Sequence, residues 1–473
     1  MLNFGVKNLL VFLLMCFCVI GFVFAEGLDG GEKLNSQFVV GTFHDIAFEI
    51  LNTRELSEDQ VEQAMVFLVA ASQFDPKSAN INETILNASP FLSGDKYDEW
   101  IHRAFEEYCR GDADLVVADK AISHFLTGCN SSLERRKVLS DLLSKVADRN
   151  VMLRLDISNR LGLSAMGNAK ELLDGLAAKY RTIDPQEAIS VKLALPTKTS
   201  FGLQPDAKLL ISNKMTEALV IFDEGLFKGG IRVDAEVRGD IRANIHELVS
   251  KRIQPGKPVE AGGQISVPLR VITGSLRRLL KDLPQASVEI KFTVYLDPVV
   301  DLEGNVENSL KGIGPIVRKF RRPGIRVDNR YLIRSLSELS KGRFQEKIRS
   351  IRLFAGLFSE QNINTGSGRR YRSFSVEPTF LISVITSNIG NDDWIVKSEA
   401  MYNLLDLRPP LDYEITQAVS ENVNDNNWPV RMVALYMLSR TQSNSFLPVL
   451  EWKANNDLDM NVRRLAEVLL RSK

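Results

Sequence analysis

Cysteine and histidine are the scarce residues of this chain, with four of each in 473 positions. No two of His44, His102, His124 and His246 stand at a metal-ligand spacing. The sequence also has no HExxH, no nucleophile elbow and no P-loop. Each missing motif removes a class: zinc hydrolases, elbow-type serine esterases, P-loop nucleotide enzymes. The expectation is a non-enzymatic chain with no catalytic residue, no metal and no cofactor. Net charge is missing too, since 59 Lys and Arg balance 59 Asp and Glu.

Long apolar runs are confined to one place. Lys7 precedes an almost unbroken apolar stretch from Leu9 to Phe24, and Val23, Phe24 and Ala25 follow the pattern a signal peptidase reads. That run is shorter than the roughly 20 residues of a spanning helix. The expectation is a signal peptide over 1–25, cleaved after Ala25. The mature chain is then exported, periplasmic or extracellular, with no transmembrane helix. Cleavage removes Cys16 and Cys18 and leaves Cys109 and Cys129, too few for a disulfide framework. One bridge or two separately packed thiols both fit.

Helical periodicity dominates the next segment, 26–187. In FEILNTRELSEDQVEQAMVFLVAASQFDP, Ala64, Leu68 and Ala71 are spaced for close helix pairing, and Asp75-Pro76 ends the hairpin. With Phe48 and Leu51 in the preceding helix, this stretch resembles a tetratricopeptide-like unit. The later units are degenerate.

From about Ala188 the period changes to two. Val288, Ile290, Phe292, Val294 and Leu296 alternate with Glu289, Lys291, Thr293 and Tyr295, and Ile265–Ile272 and Ile231–Val237 alternate likewise. Glycine pairs and Pro-Gly turns separate these runs, with one short helix near SLRRLLKDL. The expectation for 188–305 is an immunoglobulin-like β-sandwich, with an open sheet as the alternative. Asp297 and Asp301 lack EF-hand spacing and read as a turn leaving the last strand. Residues 306–327 read as a basic linker.

A recurrent pattern closes the chain. Val430, Arg431, Ala434 and Leu438 recur as Val396, Lys397, Ala400, Leu404 and as Val462, Arg463, Ala466, Leu470, the alanines 34 and then 32 residues apart. Five residues before each valine stands Asn391, Asp425 or Asp457, and Ile351, Arg352, Ala355 make a weaker fourth copy. The pattern over 328–473 resembles HEAT repeats. The resemblance implies a structural ladder of Asp425, Arg431, Asp457 and Arg463 along stacked helix pairs. The fold class expected is multidomain α+β: two α-helical repeat arrays flanking an all-β, immunoglobulin-like sandwich.

Charge is segregated along the chain. Residues 311–372 hold 16 Lys and Arg against 4 Asp and Glu, while 26–200 hold 27 acidic against 19 basic residues. Arg321, Arg322, Arg326, Arg330, Arg334, Arg369, Arg370 and Arg372 form either a solvated face, offset by the acidic array, or a docking surface for an anionic partner. Helical arrays offer long surfaces to proteins and peptides. The functional expectation is therefore an exported scaffold of the cell envelope, with protein or peptide partners on concave helical faces. The alternative is binding of a carbohydrate or anionic surface through the sandwich and the basic segment. Less favoured is an enzyme with a site between sandwich and array. Nucleic acid is excluded by the export signal and the lack of a recognition motif.

Overall fold

A computed structural model describes residues 30–53, 55–162, 169–202, 204–367, 374–405, 412–441 and 444–472. The signal-peptide expectation lies outside them. The fold is mixed α+β. Among the described residues no helix is long and apolar enough to cross a membrane.

Among the described residues nine α-helices come first: α1 (Gly30–Leu51), α2 (Glu58–Phe74), α3 (Ala79–Ala88), α4 (Asp98–Cys109), α5 (Leu115–Thr127), α6 (Ser132–Lys145), α7 (Val151–Arg160), α8 (Ala169–Tyr180) and α9 (Pro185–Ala188). Their starts are written locally. Ser57 and Gln60 form a reciprocal capping box at α2, and Ser131 and Glu134 do so at α6. α2 has no polar face: Val61 and every residue from Gln63 to Ser72 are buried. Such a helix must be covered on all sides.

The β-segment holds β1 (Ile189–Ala194), β2 (Ala207–Asn213), β3 (Gly230–Gly239), β4 (Ala243–Arg252), β5 (Gln264–Leu269), α10 (Gly274–Asp282), β6 (Val288–Leu296), β7 (Pro298–Val300), β8 (Val306–Asn308) and β9 (Ile316–Arg322). The sheets are antiparallel, with orders β1-β2-β5, β4-β3-β6-β9 and β7-β8. Leu209 and Ile211 of β2 share one core with Val233, Val237, Phe292 and Phe320 of the four-stranded sheet. Arg321 joins the sheets, its amide donating to Thr197 O and its carbonyl accepting from Thr199 N. Two expectations are corrected here. Part of the supposed linker is β9, whose Ile316 and Phe320 pair with Val294 and Ile290 and whose Phe320 is buried. The turn at Asp301 is thus followed by two more strands.

The remaining helices are α11 (Asn329–Lys341), α12 (Phe344–Ser367), α13 (Pro378–Ile389), α14 (Trp394–Leu404), α15 (Tyr413–Glu421), α16 (Trp428–Arg440), α17 (Leu447–Asn456) and α18 (Met460–Arg471). α12, α14, α16 and α18 pack in sequence as a row. Side-chain bonds between successive units tie it together. Lys397 Nζ donates to Asp425 Oδ2 at 2.7 Å, and Arg431 donates to both carboxylate oxygens of Asp457 at 3.0 and 2.7 Å. Within a unit the contact is to backbone instead, Arg431 to Asp425 O and Arg463 to Asp457 O. Arg352 departs from this pattern and turns to Glu399 and to Gly202 O.

The two helical segments share a single core rather than standing apart. α1 and α2 lie on the row: Phe43 and Phe74 meet Trp428, Phe67 meets Tyr436 edge-on at 5.2 Å, and Thr42 donates to Glu399 at 3.0 Å. Pro429 through Leu438 are buried as a result. This overturns the expectation that partners dock on that face, because the chain's own first hairpin covers it.

Candidate functional site

The anticipated basic surface divides into several fates. Arg321, Arg326, Arg330 and Arg334 are exposed, as are Arg318 and Lys319 beside them on β9. Lys319 pairs with Glu289 at 3.0 Å, and Arg334 lies 3.7 Å from Glu338 and over the Tyr331 ring. Arg321, Arg326 and Arg330 pair with no carboxylate among the described residues. Arg322 is a correction. Strand alternation turns it inward, where it is 2% exposed and donates to Leu283 O and Pro284 O at 2.9 and 3.1 Å. It is a structural residue. Arg369, Arg370 and Arg372 lie outside the described residues.

The β-unit meets the helices at a charged junction. Asp45 of α1 receives Arg270, Arg277 at 3.3 Å and the Tyr402 hydroxyl at 3.2 Å. Burial pushes this carboxyl up, but Arg277 and Arg270 hold it below the usual carboxylate range. Burial and Arg270 bring neighbouring His44 down to about 4. Arg277 also approaches Glu49 at 3.7 Å and the face of Tyr402. The acidic array is thus partly neutralised by β-unit arginines.

A second attachment joins the β-unit to the loop before α5. Leu115 N donates to Gln254 O and Gly256 N to Ala113 O, at 2.7 and 2.8 Å. Asn150 secures the loop from behind, accepting from Ala113 N and donating to Cys109 O and Gly111 O.

Beside the first of these anchors, and sharing Glu49 and Tyr402 with it, the molecule holds an open pocket of about 840 Å³. Ile46, Glu49 and Ile50 of α1 and Asp59, Gln60 and Gln63 of α2 form one wall. The other wall is the carboxyl-terminal ends of α14, α16 and α18, with Tyr402, Tyr436, Ser439, Arg440, Leu469 and Arg471. Its size falls within the range of about 300–1,000 Å³ typical of ligand sites. A smaller cavity of about 110 Å³ lies on the other side of Tyr402, among Asp45, Arg277, Arg322 and Arg352.

The remaining candidates have structural settings. His102 stacks on Phe125 and His124 contacts Asp98 at 2.7 Å. Asp297 accepts from Lys228 N and Gly230 N, both at 2.7 Å, and Asp301 accepts from the amides of Glu303 and Asn305. Cys109 and Cys129 are free thiols.

Sequence reasoning missed the pocket altogether. Gln63 was its one signal, a large polar side chain immediately before the apolar run from Ala64 to Ala71.

No protein-family model matches the chain, and no curated protein matches it. Among solved structures it is similar to Pseudomonas fluorescens alkylpurine DNA glycosylase AlkC bound to DNA containing an abasic site analog. The match has 11% identity, covers 62% of this chain and 99% of that one, and has a TM-score of 0.15. That protein is bound to DNA, so the exclusion of nucleic acid stated above is withdrawn. At this TM-score the likeness carries no argument for any partner in its place.

Proposed function

We propose that the chain is an exported, non-catalytic interaction protein that presents a basic strip on a rigid body. In this reading the helices derive from tetratricopeptide-like and HEAT-like arrays, and the two larger sheets form an immunoglobulin-like sandwich between them. One shared helical core and the buried Arg431–Asp457 pair support rigidity.

One observation carries the docking role. Arg321, Arg326 and Arg330 are exposed within ten residues and lack carboxylate partners among the described residues. Such a cluster raises the local concentration of anions and speeds their encounter. It selects for negative charge and does not by itself choose among anionic polymers.

The test uses the mature chain and an R321E/R326E/R330E variant on immobilised heparin, duplex DNA and anionic vesicles over a salt series. The reading expects salt-sensitive retention of the parent on at least one of the three and loss of that retention in the variant. Co-elution of parent and variant everywhere sinks it. Amino-terminal sequencing of protein recovered from the envelope or medium tests export, with Glu26 the expected first residue.

A further inference from the structure

The 840 Å³ pocket holds two side chains with hydrogen-bonding capacity that the described residues leave unfilled. Gln63 is 8% exposed, and its amide makes no hydrogen bond with any described residue. The amide is not sealed in the core: both of its atoms keep solvent contact where the side chain lines the pocket, so they are open to a ligand.

Arg440 is the second. Three arginines line the pocket, and two are committed: Arg278 lies 4.0 Å from Glu49, and Arg471 bonds Glu62 and lies 3.9 Å from Asp59. Among the described residues Arg440 meets Tyr436, its guanidinium 5.8 Å from the ring centre and Nη1 3.2 Å from the hydroxyl. It forms no ion pair among the described residues, and its exposed position leaves the planar fork available.

Packing brings these two residues to one place. Phe67 of α2 and Tyr436 of α16 touch ring to ring at 5.2 Å. Gln63 stands one turn before Phe67, and Arg440 one turn after Tyr436, so both side chains line the same pocket. Ile46, Ile50, Leu405 and Leu469 supply aliphatic wall around them.

We propose that this pocket binds a carboxylate adjacent to an amide, with an aliphatic side chain between them. A guanidinium matches a carboxylate through two parallel bonds. A primary amide offers one donor and one acceptor, the complement of a peptide group. The same chemistry is found at the end of a polypeptide and in a small N-acyl amino acid. The pocket shares no residue with the basic strip, so this proposal stands independently of that docking role.

The experiment is calorimetric titration of the mature chain with three probes: N-acetyl-leucine, a pool of N-acetylated octapeptides ending in a free leucine carboxylate, and the same pool amidated. Binding of a free acid, weakened at least tenfold by amidation and by either Arg440→Gln or Gln63→Leu, is the expected result. Binding of the octapeptides alone assigns the polypeptide source, and comparable binding of N-acetyl-leucine assigns the small molecule. Arg440 is exposed and leucine is close to glutamine in volume, so both variants should keep the parent's circular dichroism and melting temperature. Absence of free-acid binding, equal binding of the amides, or parent-like binding by both folded variants overturns the proposal.

Discussion

Arg431 grips Asp457 across two successive units of the carboxyl-terminal row, Nε to Oδ2 at 3.0 Å and Nη2 to Oδ1 at 2.7 Å. Its Nη1 meanwhile donates to Asp425 O at 2.8 Å, so one side chain ties the start of its own helix to that of the next. Asp457 also receives Lys453 Nζ at 2.9 Å and the Asp459 amide at 3.0 Å. The carboxylate is saturated.

Breaking this pair should be far costlier than replacing it. Arg431→Ala leaves the buried Asp457 carboxylate with Lys453 as its one remaining cation among the described residues and should lose about 3–5 kcal/mol, whereas Arg431→Met with Asp457→Leu and Lys453→Met, which removes all three buried charges, should recover most of that loss. Urea denaturation midpoints of the Arg431 and Asp457 singles, their double and the triple decide it. Strictly additive losses would mean the two residues are not coupled.

Acid should weaken the fold through Asp457. Burial pushes this carboxyl up, but hydrogen bonds from Arg431, the Asp459 amide and Lys453 bring it below the usual carboxylate range. With the folded value the lower one, the unfolded chain binds more protons. The contribution is therefore full above about pH 4 and disappears as pH falls through the folded value. Asp457→Asn should be less stable at pH 7 and show a flatter acid limb. An unchanged slope below pH 4 would place the acid sensitivity elsewhere.

His44 acts over a higher window. Its value falls from 6.5 to about 4 because burial, and then Arg270, disfavour the charged ring. The unfolded chain binds the extra proton, so stability is full above about 6.5 and declines toward pH 4. NMR titration of the His44 ring should find it neutral at pH 5.5, and His44→Gln should flatten the stability profile between pH 6.5 and 4. A ring that protonates near 6.5 in the folded chain would refute the assignment.

Gly256→Ala should loosen the seam between the β-unit and the loop before α5. A Cβ at this position would lie 2.7 Å from Ala113 O, the atom that accepts the Gly256 amide hydrogen. The expected cost is about 1–3 kcal/mol of strain. Hydrogen exchange should speed up at the Leu115 and Met152 amides, which bond Gln254 O and Gly256 O. Unchanged protection there would show that the seam absorbs a methyl group.

Cys109 should resist alkylation until the chain unfolds. The residue is fully buried, and burial pushes its thiol up to about 12, so little reactive thiolate forms at neutral pH. Iodoacetamide labelling followed by mass spectrometry should modify Cys129 first, and reducing agent should leave the melting temperature unchanged. Rapid labelling of Cys109 in the native chain would contradict its packing.

Residues that act through their immediate neighbours were legible in advance. The alternation from Val288 to Leu296 is the burial alternation of β6. β9 was hidden because charge fills four of its seven positions and its three apolar residues, Ile316, Val317 and Phe320, do not alternate. Arg322 was misjudged for the same reason. Composition counted it with its exposed neighbours, while strand register put it on the inward face beside Leu283 and Pro284.

Sequence alone determined the local elements, since capping, turn chemistry and apolar period act within a few residues of one another. Burial shows that α2 and α16 are covered over almost their whole length. Only the tertiary structure decided what covers them. Thr42 reaches Glu399 across 357 positions and Gln73 bonds Asn461 across 388. Hydrophobic burial has no direction and names no partner, so an apolar run announces that it will be buried without saying against what. The pocket shared by Gln63 and Arg440 exists because that choice was made in three dimensions.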